Sequence, residues 1–224
     1  MADRPELGFM QARRASLIIR LPRRSKGTRL KTPTPPRLQG ERIVLRGFTR
    51  ADRNALFAVF SDTRVTRYWS HHAWTEIAQA QRYLNGIARG WRDGSLQQWA
   101  IADLQTDQAI GSLTFYDIVP AHARAGIGYA LQPDHWGKGL AAEAVDLALR
   151  HAFDSLGWMR IEADTDPDNA ASIRLLERVG FQREGIARER YRLDMGELGQ
   201  TQDSLLLGLL KRDFVPRGLD ASGC

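Results

Sequence analysis

Apolar positions along the chain follow two rhythms, and the switches between them mark out the elements. Period two runs through Arg42-Ile43-Val44-Leu45-Arg46, through Gln98 to Ala102, and through Ala109 to Tyr116 after the turn Thr106-Asp107-Gln108. Such alternating runs, rich in branched and aromatic residues and bounded by turn formers, predict strands, the last two as a hairpin. Asp117 to Arg124 reads as a loop, and Ala125 to Leu131 as the next strand. Period three-to-four then takes over. Leu140, Ala144, Val145, Ala148, Leu149, Ala152 and Phe153 are spaced as the buried face of one helix. Helices are also predicted after Thr49 and Asp52 through about Phe60, and from a Thr75 cap through about Gly90 along Ile77, Ala80, Tyr83, Leu84 and Ile87. Further on, Arg160 to Thr165 predicts a strand, and Asp168 or Asn169 caps a short helix with Ile173, Leu176 and Val179 inward and Gly180 at its end. Phe181 to Glu184 and Ala187 to Leu193 flank Gly185 as strand segments. Met195 to Gln202 reads as a loop and Asp203 to Leu210 as a last strand. The sum is an α+β fold: a mixed sheet of six or seven strands with about four helices.

Charge divides the chain. Residues 1–38 carry ten Lys/Arg against Asp3 and Glu6, a net +8 in a chain of +6, so residues 39–224 carry −2. The segment Thr32-Pro33-Thr34-Pro35-Pro36 is a stiff boundary. The expected organisation is therefore a basic, unstructured arm (1–38), one domain (39–215) and a tail (216–224). Such an arm can contact RNA, a ribosome or another acidic surface. Ser16-Leu17-Ile18-Ile19 is too short for the apolar core of a secretory signal, and no apolar run approaches the ~20 residues a membrane span needs. A cytoplasmic location is expected, with no membrane contact. The one cysteine, Cys224, excludes an internal disulfide, and no histidine pair among His71, His72, His122, His135 and His151 has zinc spacing, so no metal is expected.

The chemistry concentrates at Leu131-Gln132-Pro133-Asp134-His135-Trp136-Gly137-Lys138-Gly139-Leu140-Ala141. A strand stops, a glycine turn follows, and an amphipathic helix begins. The first N–H groups of a helix lack partners and carry partial positive charge, and glycines let a phosphate come close to them. No Ser or Thr follows Gly139, which excludes a Walker-type loop, and Ala142 stands where a dinucleotide fingerprint needs its third glycine. What remains, Trp136-Gly137-Lys138-Gly139-Leu140-Ala141, resembles the pyrophosphate loop of the GNAT (GCN5-related N-acetyltransferase) superfamily. The run Asn169-Ala170-Ala171-Ser172, with Gly180-Phe181 eight residues after Ser172, resembles that superfamily's second signature. Within it, Gly128-Tyr129-x-Leu131-x-Pro133-x-x-Trp136-Gly137-Lys138-Gly139 resembles the Rim-type branch, which acetylates N-termini of ribosomal proteins.

The resemblance covers Arg42 to about Phe214. It implies a GNAT-like sheet, acetyl-CoA as co-substrate, and an N-acetyltransferase attacking directly in a ternary complex. The acceptor it implies is a protein N-terminal amine. Small amines, antibiotics or polyamines among them, remain open, as does a non-catalytic protein that binds coenzyme A or RNA. A monomer or homodimer would serve. Cofactor contacts implied are Leu131, Trp136, Gly137, Lys138, Gly139, Leu140, Ala141, Asn169, Ser172 and Arg174. A backbone N–H near Leu131 would face the oxyanion. Tyr68, Trp69 and Tyr116 would meet the acceptor, with His71, His72 and Trp74 close by. Three departures stand out: Trp136 heads the phosphate loop, Leu176 replaces a Tyr that can protonate the leaving thiolate, and Gly126 replaces a strand carboxylate. Ser172 then becomes the expected acid. The expected base maps to Tyr191, with Glu189 two residues before it, or an ordered water.

Overall fold

The structure of the protein is a computed structural model that describes residues 35–69, 71–192 and 201–216. Most of the basic arm, the segment 193–200 and the tail from 217 onward lie outside the described residues. Eight strands form one sheet: β1 (Leu38–Gln39), β2 (Ile43–Arg46), β3 (Gln97–Asp103), β4 (Ala109–Val119), β5 (Arg124–Leu131), β6 (Arg160–Thr165), β7 (Gln182–Arg192) and β8 (Thr201–Leu210). Their order is β1-β2-β3-β4-β5-β6-β8-β7. Every pair is antiparallel except β5 with β6. The helices are α1 (Arg53–Phe60), α2 (Thr63–Thr66), α3 (Ile77–Asp93), α4 (Leu140–Arg150) and α5 (Ala170–Val179).

The strand and helix counts each exceed the sequence expectation by one. Two residues, Leu38 and Gln39, suffice to extend the sheet onto Leu45 and Val44, too short a run to show a period. Pro36 accepts a hydrogen bond from Trp99 Nε1 at 3.0 Å, so the end of the arm packs on the domain. Helix α2 is a single turn closed by the Asp62 side chain on Arg64 N–H. The strand β4 runs three residues beyond Tyr116, past a bulge, into what was expected to be loop. Gly185 bends β7 without breaking it. Thr201 and Gln202, expected in a loop, begin β8 by pairing with Arg192 and Tyr191. Glu76, not Thr75, caps α3, with Gln79 Oε1 accepting from both main-chain N–H groups.

Strand pairing sorts side chains onto two faces. Trp99, Leu113, Phe115, Ile127, Ile161 and Leu207 point to one face, where α4 and α5 bury them. All seven stripe residues of the α4 run are buried, Phe153 within a π-helical turn (His151–Ser155) that continues it. Each fully buried Val, Leu or Phe side chain contributes about 1.5–3 kcal/mol. The opposite face is covered by α1 and α3 over β3 and β4, where Tyr83 takes a hydrogen bond from Gln98 at 2.8 Å. Beyond β4 that face carries Tyr116, Gly126, Glu162 and Asp164 in place of an apolar layer. No described helix is long and apolar enough to cross a membrane, and the described residues hold no cluster of metal-ligating side chains.

Candidate active site

The parallel pair β5–β6 shapes the site. It is joined only at Arg124–Arg160, Ala125–Ile161 and Gly126–Glu162. Past Gly126, β5 continues to Leu131 bonded to β4 alone, and β6 continues to Thr165 bonded to β8 alone. The strands therefore part, and the inner edge of β5 keeps main-chain donors and acceptors for a ligand. Helices α4 and α5 start at the carboxyl ends of these two strands, a junction where open sheets bind ligands.

The glycine turn lies at the end of β5. Trp136 Nε1 donates to Leu131 O at 2.8 Å and ties the turn to the strand end. Its indole supports the loop through this bond, although it brings no phosphate-binding cation. Gly137 (φ 72°) and Gly139 (φ 77°) are both left-handed, which is why both are glycine. A Cβ on Gly137 would meet only open space, so the cradle is accessible from outside. From below, Arg42 donates to Lys138 O at 2.8 Å and to Glu143 Oε2 at 3.0 Å. Glu143 Oε1 in turn accepts the main-chain N–H groups of Glu41, Arg42 and Ile43. This brace, from the first long strand to the first turn of α4, has no signature in local sequence. Leu140 is buried under the helix start, Ala141 is half-buried, and Lys138 is exposed.

Across the gap, Asn169 caps α5 by accepting from Ser172 N at 3.1 Å. The cap uses the amide oxygen only. Ser172 Oγ lies 3.0 Å from the Tyr129 hydroxyl, bridging α5 to the free part of β5. Burial pushes the Tyr129 phenol up to about 12 against the opposing pull of Ser172, so it stays protonated at neutral pH. Tyr129 stands in the motif already quoted, yet its partnership with Ser172 needs the parted strands to be seen. Arg174 lies exposed two residues beyond Ser172.

On the other face Tyr116 lies across β5. A Cβ on Gly126 would come within 2.5 Å of its ring, so the glycine makes room for the phenol. Tyr116 reaches β6 and donates to Asp164 Oδ1 at 2.8 Å. Asp164 Oδ2 accepts from the Tyr191 hydroxyl and, at 3.1 Å, from Arg190 Nε. Burial, then the Asp164 charge, raises both phenols well above the ordinary tyrosine value. A bulge between Ala187 and Tyr191 re-aims this part of β7. It also breaks the alternation expected to aim Glu189 with Tyr191. Glu189 takes a left-handed φ of 49°, is exposed, and donates its N–H to Asp203 Oδ1 at 2.8 Å. A second row crosses the same face, Arg124–Glu162–Arg160–Glu184, its charges paired with one another.

The structure does not join Tyr68 and Trp69 to the Tyr116 group by any hydrogen bond or ring contact among the described residues. Trp69 packs edge-on against Phe60 at 5.1 Å, within a cluster that includes His71, Trp74 and Tyr83. Tyr68 is half-buried with the Arg67 guanidinium 5.2 Å from its ring. Asp164 was missed by sequence reasoning. The available signal was Glu162 and Asp164 alternating with the apolar Ile161 and Ala163.

A parted parallel pair with a glycine turn at one strand end and a polar face behind it leaves room for two substrates. Residues 42–182 match the acetyltransferase (GNAT) domain family, and the chain belongs to that family. The chain is 37% identical over 154 residues (69% of this chain, 87% of the other) to an uncharacterized N-acetyltransferase, YoaA, of Bacillus subtilis (strain 168). It is 29% identical over 187 residues (80% and 93%) to the [ribosomal protein uS5]-alanine N-acetyltransferase of Escherichia coli (strain K12). Its fold matches the crystal structure of spermidine N-acetyltransferase from Vibrio cholerae in complex with CoA and spermine, at a TM-score of 0.66 and 22% identity over 77% and 97% of the two chains. The protein is an acetyl-CoA-dependent N-acetyltransferase. The left-handed glycines, the open cradle and the free edge of β5 fit that co-substrate.

Proposed function

We propose that the acceptor is a protein N-terminal α-amine, of the ribosomal-protein type. The observation that carries this reading is similarity to the uS5-alanine enzyme along 93% of that protein's length. The acceptor face supports it. Arg190 and Arg124 stand there beside Asp164 and Glu162, a mixture of donors and acceptors suited to a peptide backbone and unfavourable to a polycation.

In this reading the main-chain donors of Gly137 to Ala141 and the helix dipole of α4 hold the pyrophosphate of acetyl-CoA. A backbone N–H near Leu131 stabilises the oxyanion. Ser172 assists the departing thiolate, and Tyr129 helps it. Because Tyr129 can donate to Ser172 Oγ, the single serine proton is left for the sulfur. Holding both substrates at the gap supplies much of the rate. The basic arm, most of it outside the described residues, would add affinity for an RNA-rich target.

The test is an acceptor panel: synthetic peptides beginning with Ala or Ser, spermidine and an aminoglycoside, with release of the free thiol as readout. A peptide should give the highest kcat/KM. Preference for spermidine or the aminoglycoside would overturn the reading.

A further inference from the structure

We propose that Asp164 is a positioning residue for the acceptor amine, acting through Tyr191 and Tyr116. The inference rests on the acetyl-transfer reading and holds whichever class of amine is the acceptor. Asp164 is the point at which three strands converge: Tyr116 from β4, and Tyr191 and Arg190 from β7, all donate to its two oxygens. The arrangement has a directional consequence. A phenol carries one proton. With both protons committed to Asp164, the two phenol oxygens keep only lone pairs to offer outward. An incoming amine, which gives its N–H protons and keeps its lone pair for the thioester, meets two acceptors backed by a carboxylate charge.

The geometry is built for this. Gly126 leaves the floor under Tyr116 bare, and Gly128 lies 3.5 Å from the same ring by its own would-be Cβ. The β7 bulge places Tyr191 and Arg190 side by side against one carboxyl oxygen. The carboxylate side chain is 11% exposed, which ties its charge to these partners. Asp117, at the bulge that ends the regular pairing of β4, is the remaining charged group facing it from β4.

The step balances. The amine nitrogen bonds to the thioester carbon, and the carbon–sulfur bond breaks with its electron pair leaving on sulfur. The excess proton on nitrogen passes to Tyr191 Oη as Tyr191's own proton passes to Asp164 Oδ2. The family's usual strand carboxylate is thereby replaced from the neighbouring strand, with a phenol between it and the substrate.

The experiment compares wild type with Asp164→Asn, Tyr191→Phe and the double variant. The first readout needs no acceptor: ultraviolet titration of the five tyrosines. Removing the Asp164 charge should lower the ionisation pH of Tyr116 and Tyr191, burial keeping part of their rise, while Tyr83 and Tyr129, held by burial alone, stay put. An unchanged titration curve would overturn the contact and the proposal with it. The second readout is turnover on whichever amine of the panel wild type prefers. Asp164→Asn should lower kcat roughly 100-fold, shift the acidic limb of the profile, and leave the acetyl-CoA Kd within about twofold. The double variant should be no slower than the worse single one. Wild-type kcat and pH profile in Asp164→Asn, or a loss of turnover matched by lost acetyl-CoA affinity, would sink the positioning role. Preference for a small amine would overturn only the acceptor assignment. Wild type that binds acetyl-CoA yet acetylates no amine would overturn both.

Discussion

The two sides of the parted strands are made from different materials. The proposed cofactor side is main chain: a left-handed glycine turn, the start of α4 and the unpaired edge of β5, braced by Arg42 and Glu143. The proposed acceptor side is side chain: Tyr116, Asp164, Tyr191 and Arg190, drawn from three strands. Main-chain donors are indifferent to the side chains they carry. The first can therefore take Trp136 at its head and still present the same donors to phosphate. The second changes meaning with each substitution, because every member's proton is directed by its neighbour. The first side suits a co-substrate common to a family, and the second an acceptor that differs between members.

The comparison breaks most readily at the turn. Gly139→Val forces a β-branched residue to φ 77°, where ordinary residues already lose about 1–2 kcal/mol. Acetyl-CoA affinity measured by calorimetry should fall about 100-fold, ~2.7 kcal/mol, with the fold retained by circular dichroism. Unchanged affinity in a folded variant would place the pyrophosphate elsewhere.

Next comes the brace. Glu143→Ala leaves three main-chain N–H groups without their acceptor. Water can replace part of it, so the expected loss is about 1.5 kcal/mol, or roughly 3–6 °C in Tm at this size. A Tm within 1 °C or so of wild type would show that the turn needs no brace.

Two variants at the gap sharpen the contrast. Ser172→Ala should lower kcat about tenfold and barely change acetyl-CoA affinity, since help to a departing thiolate acts only in the transition state. Equal losses in both would make Ser172 a binding residue. Tyr129→Phe should have the smallest effect, about threefold in kcat, by freeing Ser172 to turn. Its stability signature lies at high pH. The Tyr129 phenol is pushed up from about 10 to about 12 in the folded chain. Above pH 10 the unfolded chain releases this proton and the folded chain does not. Stability is therefore full below pH 10 and falls between pH 10 and 12. Tyr129→Phe should reduce that fall in chemical denaturation, although Tyr83, equally raised, keeps part of it.

The same contrast explains what could be read from the sequence. The glycine turn, α4 with its stripe, and the Asn169-to-Gly180 helix are local: caps, glycines and period lie within a dozen or so residues, and all were legible. The order of the strands was legible only as far as hairpins went. The acceptor network was half seen. Tyr116 and Tyr191 were named from the sequence as candidate site residues, but their meeting at Asp164, 48 residues from one and 27 from the other, was not legible, because the contact depends on sheet order and register. Glu189 shows the cost of assuming perfect alternation, since a bulge turns it outward. Tyr68 and Trp69 could be placed in sequence beside the acceptor side, but whether an aromatic meets solvent or Phe60 is decided by packing.

The three-rung seam between β5 and β6 also has a mechanical side. It is the weakest join along the middle of the sheet, since every neighbouring pair is held over a longer run. Amide protons of Ile127 to Leu131 that face away from β4 have no strand partner and should exchange with solvent well ahead of global unfolding. A molecule that lies along the free edge closes the seam from outside and slows them. In deuterium-exchange terms, a thioester held along that edge would act as a transient extra strand, and loading the enzyme should slow exchange there.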